Sequence, residues 1–325
     1  MPTRIEALLA YFITIVAVYF FIIDDDEDPF ALDPPPYQPI GFLPAVDVVG
    51  QLYGTPFFGH HLNVNERLFQ RILLDIGDAV GAPRNNQFIF SEQQNQQRRR
   101  RRCKLSIPNR IAMFLRFLGE DIKIWSQSQE FQTSISSVHR DMVHIGIIFL
   151  KKYQGLIRPL SPHEKVLNRL FEGYPTAEGI LDGSMFRRTV PSPSDPTMYD
   201  YKRKHGSSQN VQAICTKTKV ITHLLTGVPG RMCDTNASKF IGNDMGSASI
   251  MVDGGYHNDT RFIGPDGTHL HKRQRSGIER VFGRVKMDSA AVGGYYRRGK
   301  RWQSLFIWDS FLLYQLKLVY GGNRR

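Results

Sequence analysis

Past residue 179 the chain alternates between short apolar runs and helical stretches, and two of the runs end on an aspartate followed by glycine. Gly179 to Asp182 is a short apolar segment that meets an acid. Asn210 to Thr216 (NVQAICT) and Lys219 to Leu225 (KVITHLL) alternate tightly about Lys217-Thr218, the pattern of a β-hairpin. Asp234 to Phe240 predicts a short helix. Ala248 to Val252 (ASIMV) predicts a buried strand running into Asp253. Gln274 to Lys286 places Ile278, Val281, Phe282 and Val285 on one helical face, and Trp302 to Val319 predicts a long, mostly apolar helix. The order is strand, two antiparallel strands, helix, strand, helix. It constrains the region from 170 to 320 to an α/β domain with the element order of an RNase H-like fold.

Three acids fall where such a sheet gathers side chains. Asp182 lies in LDGS, Asp253 in VDGGY, and Glu279 in the helix RQRSGIERVFGRVK. The glycines beside the aspartates leave room for an ion, water or a phosphate. Cleaving a phosphodiester requires an activated water and neutralisation of the leaving oxygen. Two divalent cations about 3.5–4 Å apart, bridged by carboxylates, supply both. Few carboxylates and retained waters suit Mg2+ or Mn2+. Singly, each acid has a plainer reading: Asp-Gly is most often a turn, and Glu279 pairs readily with neighbouring arginines. Together, in strand and helix order, the plain readings need three coincidences. Arg275 and Arg280 flank Glu279 as candidates for the DNA backbone, and Lys286 lies two turns further along the same face. Asp234, in GRMCD, reads as a helix N-cap, and His257 as a structural histidine or a site neighbour.

The N-terminal half reads differently. Leu68 to Val80 has helical spacing. Gln93 to Lys104 (QQNQQRRRRRCK) is of low complexity, and its arginines Arg98, Arg99, Arg100, Arg101 and Arg102 mark an exposed linker that contacts a polyanion or serves nuclear import. Residues 106 to 146 read as three short helices, with Ser106 capping the first just before Pro108. The turn Gln132-Thr133-Ser134 leads into the third, with Val138, Met142 and Ile145 inward and Ser136, Ser137, His139 and Arg140 outward. That is the layout of a helix-turn-helix whose last helix enters a major groove, and equally of a plain helical bundle.

A net charge of +12 favours polyanionic partners or simply a soluble basic surface. Cys103, Cys215 and Cys233 are odd in number and widely spaced, so neither a disulfide framework nor a zinc knuckle is indicated. Ala7 to Ile23 is apolar apart from Thr14 and is followed by DDDED and by Pro34-Pro35-Pro36. As a helix the run reaches about 25 Å, the short end of a bilayer span. A membrane anchor, a signal-peptide core and an N-terminal extension all remain open, the signal peptide fitting worst because acids follow where a cleavage site belongs.

The stretch from Ala177 to Leu318 resembles the nuclease domain of PIF/Harbinger-type transposases and of Harbinger transposase-derived nucleases. The segments that carry the resemblance are LDGS, YKRKHGSSQNVQAIC, LLTGVPGRMCD, VDGGYHN and RSGIERVFGRVK, in that order. By resemblance, Asp182, Asp253 and Glu279 fall on the DDE positions as catalytic residues and ligands of two divalent cations (Mg2+ or Mn2+). Arg275 and Lys286 match the basic residues of the motif around the glutamate. Lys272 stands where the related bacterial motif usually has tyrosine, and only 25 residues separate Asp253 from Glu279. The expected organisation is an apolar segment with acidic and proline linker over 1–40, a helical region ending in the basic linker over 41–104, a helix-turn-helix-like region over 105–165, and an RNase H-like DDE nuclease domain over 170–320. The resemblance implies a nuclear, metal-dependent DNA endonuclease that hydrolyses or transfers phosphodiesters, with DNA, a second copy of the chain and a Myb-like companion protein as partners. The alternatives are a transposase-derived DNA-binding protein that no longer cuts and, for localisation, anchoring through residues 7–23.

Overall fold

A computed structural model describes residues 47–82, 105–120, 123–167, 171–188, 200–201, 206–242, 248–256, 259–294, 296 and 300–320. The apolar run at 7–23, the acidic and proline linker, the arginines at 98–102 and His257 lie outside the described residues.

The first part is helical: α1 (Val48–Leu52), α2 (Phe58–Leu62), α3 (Glu66–Gly81), α4 (Ile107–Glu120), α5 (Ile124–Glu130), α6 (Ile135–Tyr153) and α7 (Pro162–Leu167). Local chemistry sets the ends. The Asn65 side chain accepts from the Leu68 amide at the start of α3, and Ser134 accepts from Ser137 at the start of α6. Ser106 accepts from the Asn109 amide as the cap expected before Pro108. Apolar residues at helical spacing then fix the faces: Leu68, Ile72, Ile76 and Val80 of α3, and Val138, Met142, Ile145 and Phe149 of α6, are all buried. Helix α4 is buried nearly all round and forms the centre of the bundle. Its Arg110 is buried too. The guanidinium donates to both Asp141 oxygens of α6 (3.1 and 3.0 Å) and to the Val80 carbonyl of α3 (2.6 Å).

The second part is a mixed sheet with helices. Its elements are β1 (Ala177–Arg188), β2 (Asp200–Tyr201), β3 (Gly206–Cys215), β4 (Ile221–Pro229), α8 (Asp234–Gly242), β5 (Ser249–Met251), β6 (Phe262–Ile263), α9 (His269–Asp288), α10 (Ala290–Gly293) and α11 (Lys300–Tyr320). The spatial order is β3-β1-β5-β6, with β2 and β4 both paired to β3. Strand β1 runs antiparallel to β3 from Ile180↔Cys215 to Arg188↔Ser207, and the β3–β4 hairpin has the expected tight turn. Strand β5 is parallel to β1, and β6 to β5.

The sheet is covered on both faces. Ile180 and Phe186 of β1 belong to a core that includes Ile278, Phe282 and Phe311 of α9 and α11. Leu181 lies on the opposite face, with Ile241 of α8, Ile250, Val252 and Tyr256. The alternation of β1 is therefore even-numbered residues toward α9 and odd-numbered ones toward α8.

Two expectations need correction. Strand β1 does not end at Asp182 but continues six residues further, to Arg188, so the acid stands mid-strand. The Asp-Gly pair reads locally as a turn, yet Gly183 pairs with Gln212 in the ladder, and Phe186 has a core to enter. Asp234 is the first residue of α8 rather than its cap. Its carboxylate accepts instead from two amide side chains of β3.

The helical part and the sheet are joined by one core. A single cluster of buried residues contains Phe69, Phe114 and Phe149 together with Ile180, Phe186 and Phe311. Helix α11 is the common wall: Phe306 packs edge-on against Phe117 of α4 at 4.8 Å between centroids. Gly146 of α6 allows close approach, since a Cβ there would lie 2.7 Å from Asp309 Oδ2 and 3.3 Å from a Leu305 methyl.

Asp309 is fully buried, and neither of its carboxylate oxygens has a hydrogen-bond partner among the described residues. Burial pushes its carboxyl well above the usual carboxylate range. A raised acid keeps its proton in the folded state and loses it in the unfolded one. Its contribution is therefore fully present below pH 3.8 and is lost as pH rises through the folded value. Asp309→Asn is expected to stabilise the protein, and by more at about pH 8 than at about pH 5. Urea unfolding at both pH values measures this, and an equal response at both would be incompatible with a protonated Asp309.

Candidate active site

Asp182 points from β1 toward α9. Its Oδ1 accepts from the Gly183 amide at 2.8 Å, and its Oδ2 faces Arg275 Nη1 at 3.4 Å. Burial raises its carboxyl to about 6, against the Gly183 N–H and the Arg275 charge, which pull it down. The negative charges of Asp253 and Asp234 raise it further, so the three carboxylates lie within electrostatic reach of one another.

The sheet register explains the approach of the two aspartates. Ile180 pairs with Met251 across the parallel strands β1 and β5. Asp182 and Asp253 follow that last pair by two residues on each chain, Asp253 lying just past the end of β5. The Asp253 Oδ1 accepts from the Gly255 amide at 2.8 Å, which turns the chain sharply away from the strand. A side chain at Gly254 would meet nothing closer than Pro265 at 3.9 Å, so the space beside Asp253 is open.

Glu279 comes from α9, where its side chain is 52% exposed. Arg275, one turn earlier, donates to Glu279 Oε1 at 2.8 Å with one arm while the other reaches Asp182. The helix thus links Glu279 to Asp182 through an arginine. Among the described residues no group of three or more His, Cys, Asp or Glu side chains is placed to hold a metal ion.

On the other face of β1 lies a polar network with no place in the sequence reading. Tyr256 donates to Gln212 Oε1 (2.7 Å), and Gln212 Nε2 donates to Asp234 Oδ1 (2.9 Å) and Asn210 Oδ1 (3.0 Å). Asn210 Nδ2 also donates to Asp234 Oδ1 (2.9 Å). Thr235 donates to the Gly255 carbonyl at 2.6 Å, tying the start of α8 to the turn that follows Asp253. The polar run Ser207-Ser208-Gln209-Asn210 followed by Gln212, leading into an apolar strand end, was the available signal, because buried amides need partners. Gly183 makes room for this network. A Cβ there would lie 2.4 Å from Gln212 Nε2 and 2.7 Å from Asp234 Oδ1. Gly183→Ala is expected to destabilise the protein by about 1–3 kcal/mol through overpacking. Thermal melting of the variant checks it, and an unchanged melting temperature would mean that the network moves aside freely.

The candidate DNA-contacting residues are placed unevenly. On α6, Ser136 and Arg140 are exposed while Ser137 and His139 are half-buried. Val138, Met142 and Ile145 face inward as expected. Trp125 of α5 stands 60% exposed before the turn that leads to them. On α9, Lys272, Arg273 and Arg280 are exposed, and Arg280 donates to Ser276 Oγ at 2.8 Å. Lys286 turns inward. Its ammonium donates to Ser184 Oγ (2.7 Å) and the Met185 carbonyl (2.9 Å) and lies 4.6 Å from the centre of the Phe186 ring. Among the described residues no helix is long and apolar enough to cross a membrane. No family model, curated protein or solved structure matches the chain.

Proposed function

We propose that the chain is a metal-dependent DNA endonuclease of the DDE transposase type, built on an RNase H-like domain and acting in the nucleus. The observation that carries this reading is the parallel pairing of β1 with β5, whose last partners Ile180 and Met251 stand two residues before Asp182 and Asp253, with Glu279 linked to Asp182 through Arg275. The order β4-β3-β1-β5-β6, with the first three strands antiparallel and the last two parallel to β1, supports the fold assignment.

Carboxylates are the donors a hard divalent cation takes, although the described residues do not gather three of them into one metal-holding group. Burial raises the Asp182 carboxyl, the charges of Asp253 and Asp234 add to it, and nearby positive charge lowers it. Asp182 and Asp253 would hold Mg2+ or Mn2+ directly, with Glu279 joining from α9. When bound, two such ions activate a water or a 3′-hydroxyl and stabilise the leaving oxygen. The chain's own contribution is positional: β1 carries Asp182, the Gly254–Gly255 turn beside Asp253 leaves space, and α9 carries the exposed basic residues Lys272, Arg273 and Arg280, Arg273 being paired with Glu172. Helix α6, the arginines at 98–102, a second copy of the chain and a Myb-like companion are the proposed further sources of DNA recognition.

A second reading is favoured by one observation. The guanidinium of Arg275 already neutralises the acids, as it would in a descendant that binds DNA without cutting. Nicking of supercoiled plasmid separates the two. The nuclease reading expects nicking with Mg2+ or Mn2+ that stops on chelation. Purified protein that never nicks with either ion leaves the DNA-binding reading in its place.

A further inference from the structure

We propose that the joint between the helical half and the sheet is proton-gated at Asp309: the contact of α6 with α11 closes over that carboxyl when it carries a proton and loosens when the proton leaves. Asp309 lies on α11, the wall shared by both halves, and is fully buried. Neither of its oxygens has a hydrogen-bond partner among the described residues. What faces it is the backbone of Gly146 on α6, where an added Cβ would lie 2.7 Å from Asp309 Oδ2. A neutral carboxyl is tolerated in such a place, whereas a carboxylate without a partner is costly to bury. No counter-charge among the described residues offsets that cost, because burial is the one influence on the Asp309 proton. The ionisable groups of the elements packed on α11 leave it unaffected: Asp141 and His144 of α6, Asp75 of α3, Arg284 and Asp288 of α9, and His223 of β4. Asp141 is committed to Arg110, and Asp288 to Arg284 and Lys317.

The sign follows from where the proton is held. With the helices closed, the buried acid keeps its proton well above the ordinary 3.8. With the helices parted, water reaches the carboxyl and the proton leaves at ordinary pH. Acid therefore favours the closed joint. Each pH unit above 3.8 favours the open one by about tenfold, until the buried acid itself ionises. The opening is local. It separates α6 from α11 at Gly146 and Asp309, whereas β1 and β3 stay paired along nine residue pairs. The gate thus sets how firmly α6, whose outer surface carries Ser136 and Arg140, is held to the sheet half. It acts independently of any chemistry at the Asp182 site.

Amide hydrogen exchange of the full chain, followed by mass spectrometry over a pH series and corrected for the intrinsic rate at each pH, tests this. In the parent, opening of the α6 and α11 amides is expected to rise about tenfold per pH unit from about pH 5 upward. The amides of β1 and β3 are expected to stay protected well beyond those of α6 and α11 throughout. Asp309→Asn, which keeps the shape and has no acidic proton to lose, is expected to flatten the pH dependence of the two helices. Asp309→Leu is expected to do the same, and it stands in for the asparagine variant should that fail to fold. Opening of α6 and α11 that does not change with pH in the parent overturns the gate, as does a pH dependence that survives in the variants. Exchange of α6, α11, β1 and β3 at one common level of protection also overturns it, because Asp309 would then be exposed only by unfolding of the whole chain.

Discussion

Asp182→Asn is expected to end metal-dependent nicking while leaving a folded protein that is more stable than the parent above about pH 6. The two effects have one origin. The carboxylate is held mostly out of water beside two other acids, an arrangement that serves ligation and opposes folding. Its folded value of about 6 lies above the unfolded 3.8. Stability from this group is therefore fully present below pH 3.8 and is lost as pH rises through about 6, a difference of at most ~3 kcal/mol. Asparagine keeps the size and an acceptor for the Gly183 amide and sheds the charge. It also forfeits the Arg275 contact, so a gain of about 1–2 kcal/mol at neutral pH, shrinking toward pH 4, is the expected net. Nicking should fall on the order of a thousandfold or more, because an amide is a poor ligand for a hard cation and site residues act as a unit. Plasmid nicking and chelator-treated urea unfolding at several pH values are the measurements. Nicking at the parental rate would remove Asp182 from the site.

The second large effect lies far from the acids. Asp141→Ala should cost about 3–5 kcal/mol, because it leaves the buried Arg110 guanidinium without its charge partner. Arg110 is 7% and Asp141 2% exposed, and the same guanidinium also holds the end of α3 through the Val80 carbonyl. The loss would thus loosen three helices at once. Arg110→Met combined with Asp141→Leu should recover most of it, since apolar packing replaces such pairs at little net cost. Chemical unfolding of the single and double variants decides the matter. A single variant within about 1 kcal/mol of the parent would show that water reaches the arginine.

These effects differ in how readily the sequence announces them. Helices α3, α4, α6, α9 and α11 follow from apolar spacing, and the β3–β4 hairpin from its alternation and two-residue turn. The continuation of β1 past Asp182 is hidden because Asp-Gly is locally a turn signal, and only pairing with β3 overrides it. Strand β6 spans two residues, too few for any period. The i, i+4 pair of Arg275 and Glu279 is visible along one helix, whereas the second arm of Arg275 meets a residue 93 positions away. Asp309 sits in a run of apolar residues where an acid reads as exposed. Its burial depends on α6 presenting Gly146 at that point.

Helix α11 imposes a timetable on the chain. It is the last described helix, yet it supplies Phe306 to α4, Leu305 to α6 and Phe311 to the sheet. On the ribosome, the helices and the strands before it emerge first and wait with apolar faces uncovered until residues 300–320 appear. Neither half can bury its core early, so folding becomes a late event dominated by contacts distant in sequence, which are slow to form and exposed to aggregation meanwhile. A chain shortened before Lys300 would lose the wall shared by both halves, and with it the helical bundle as well as the sheet.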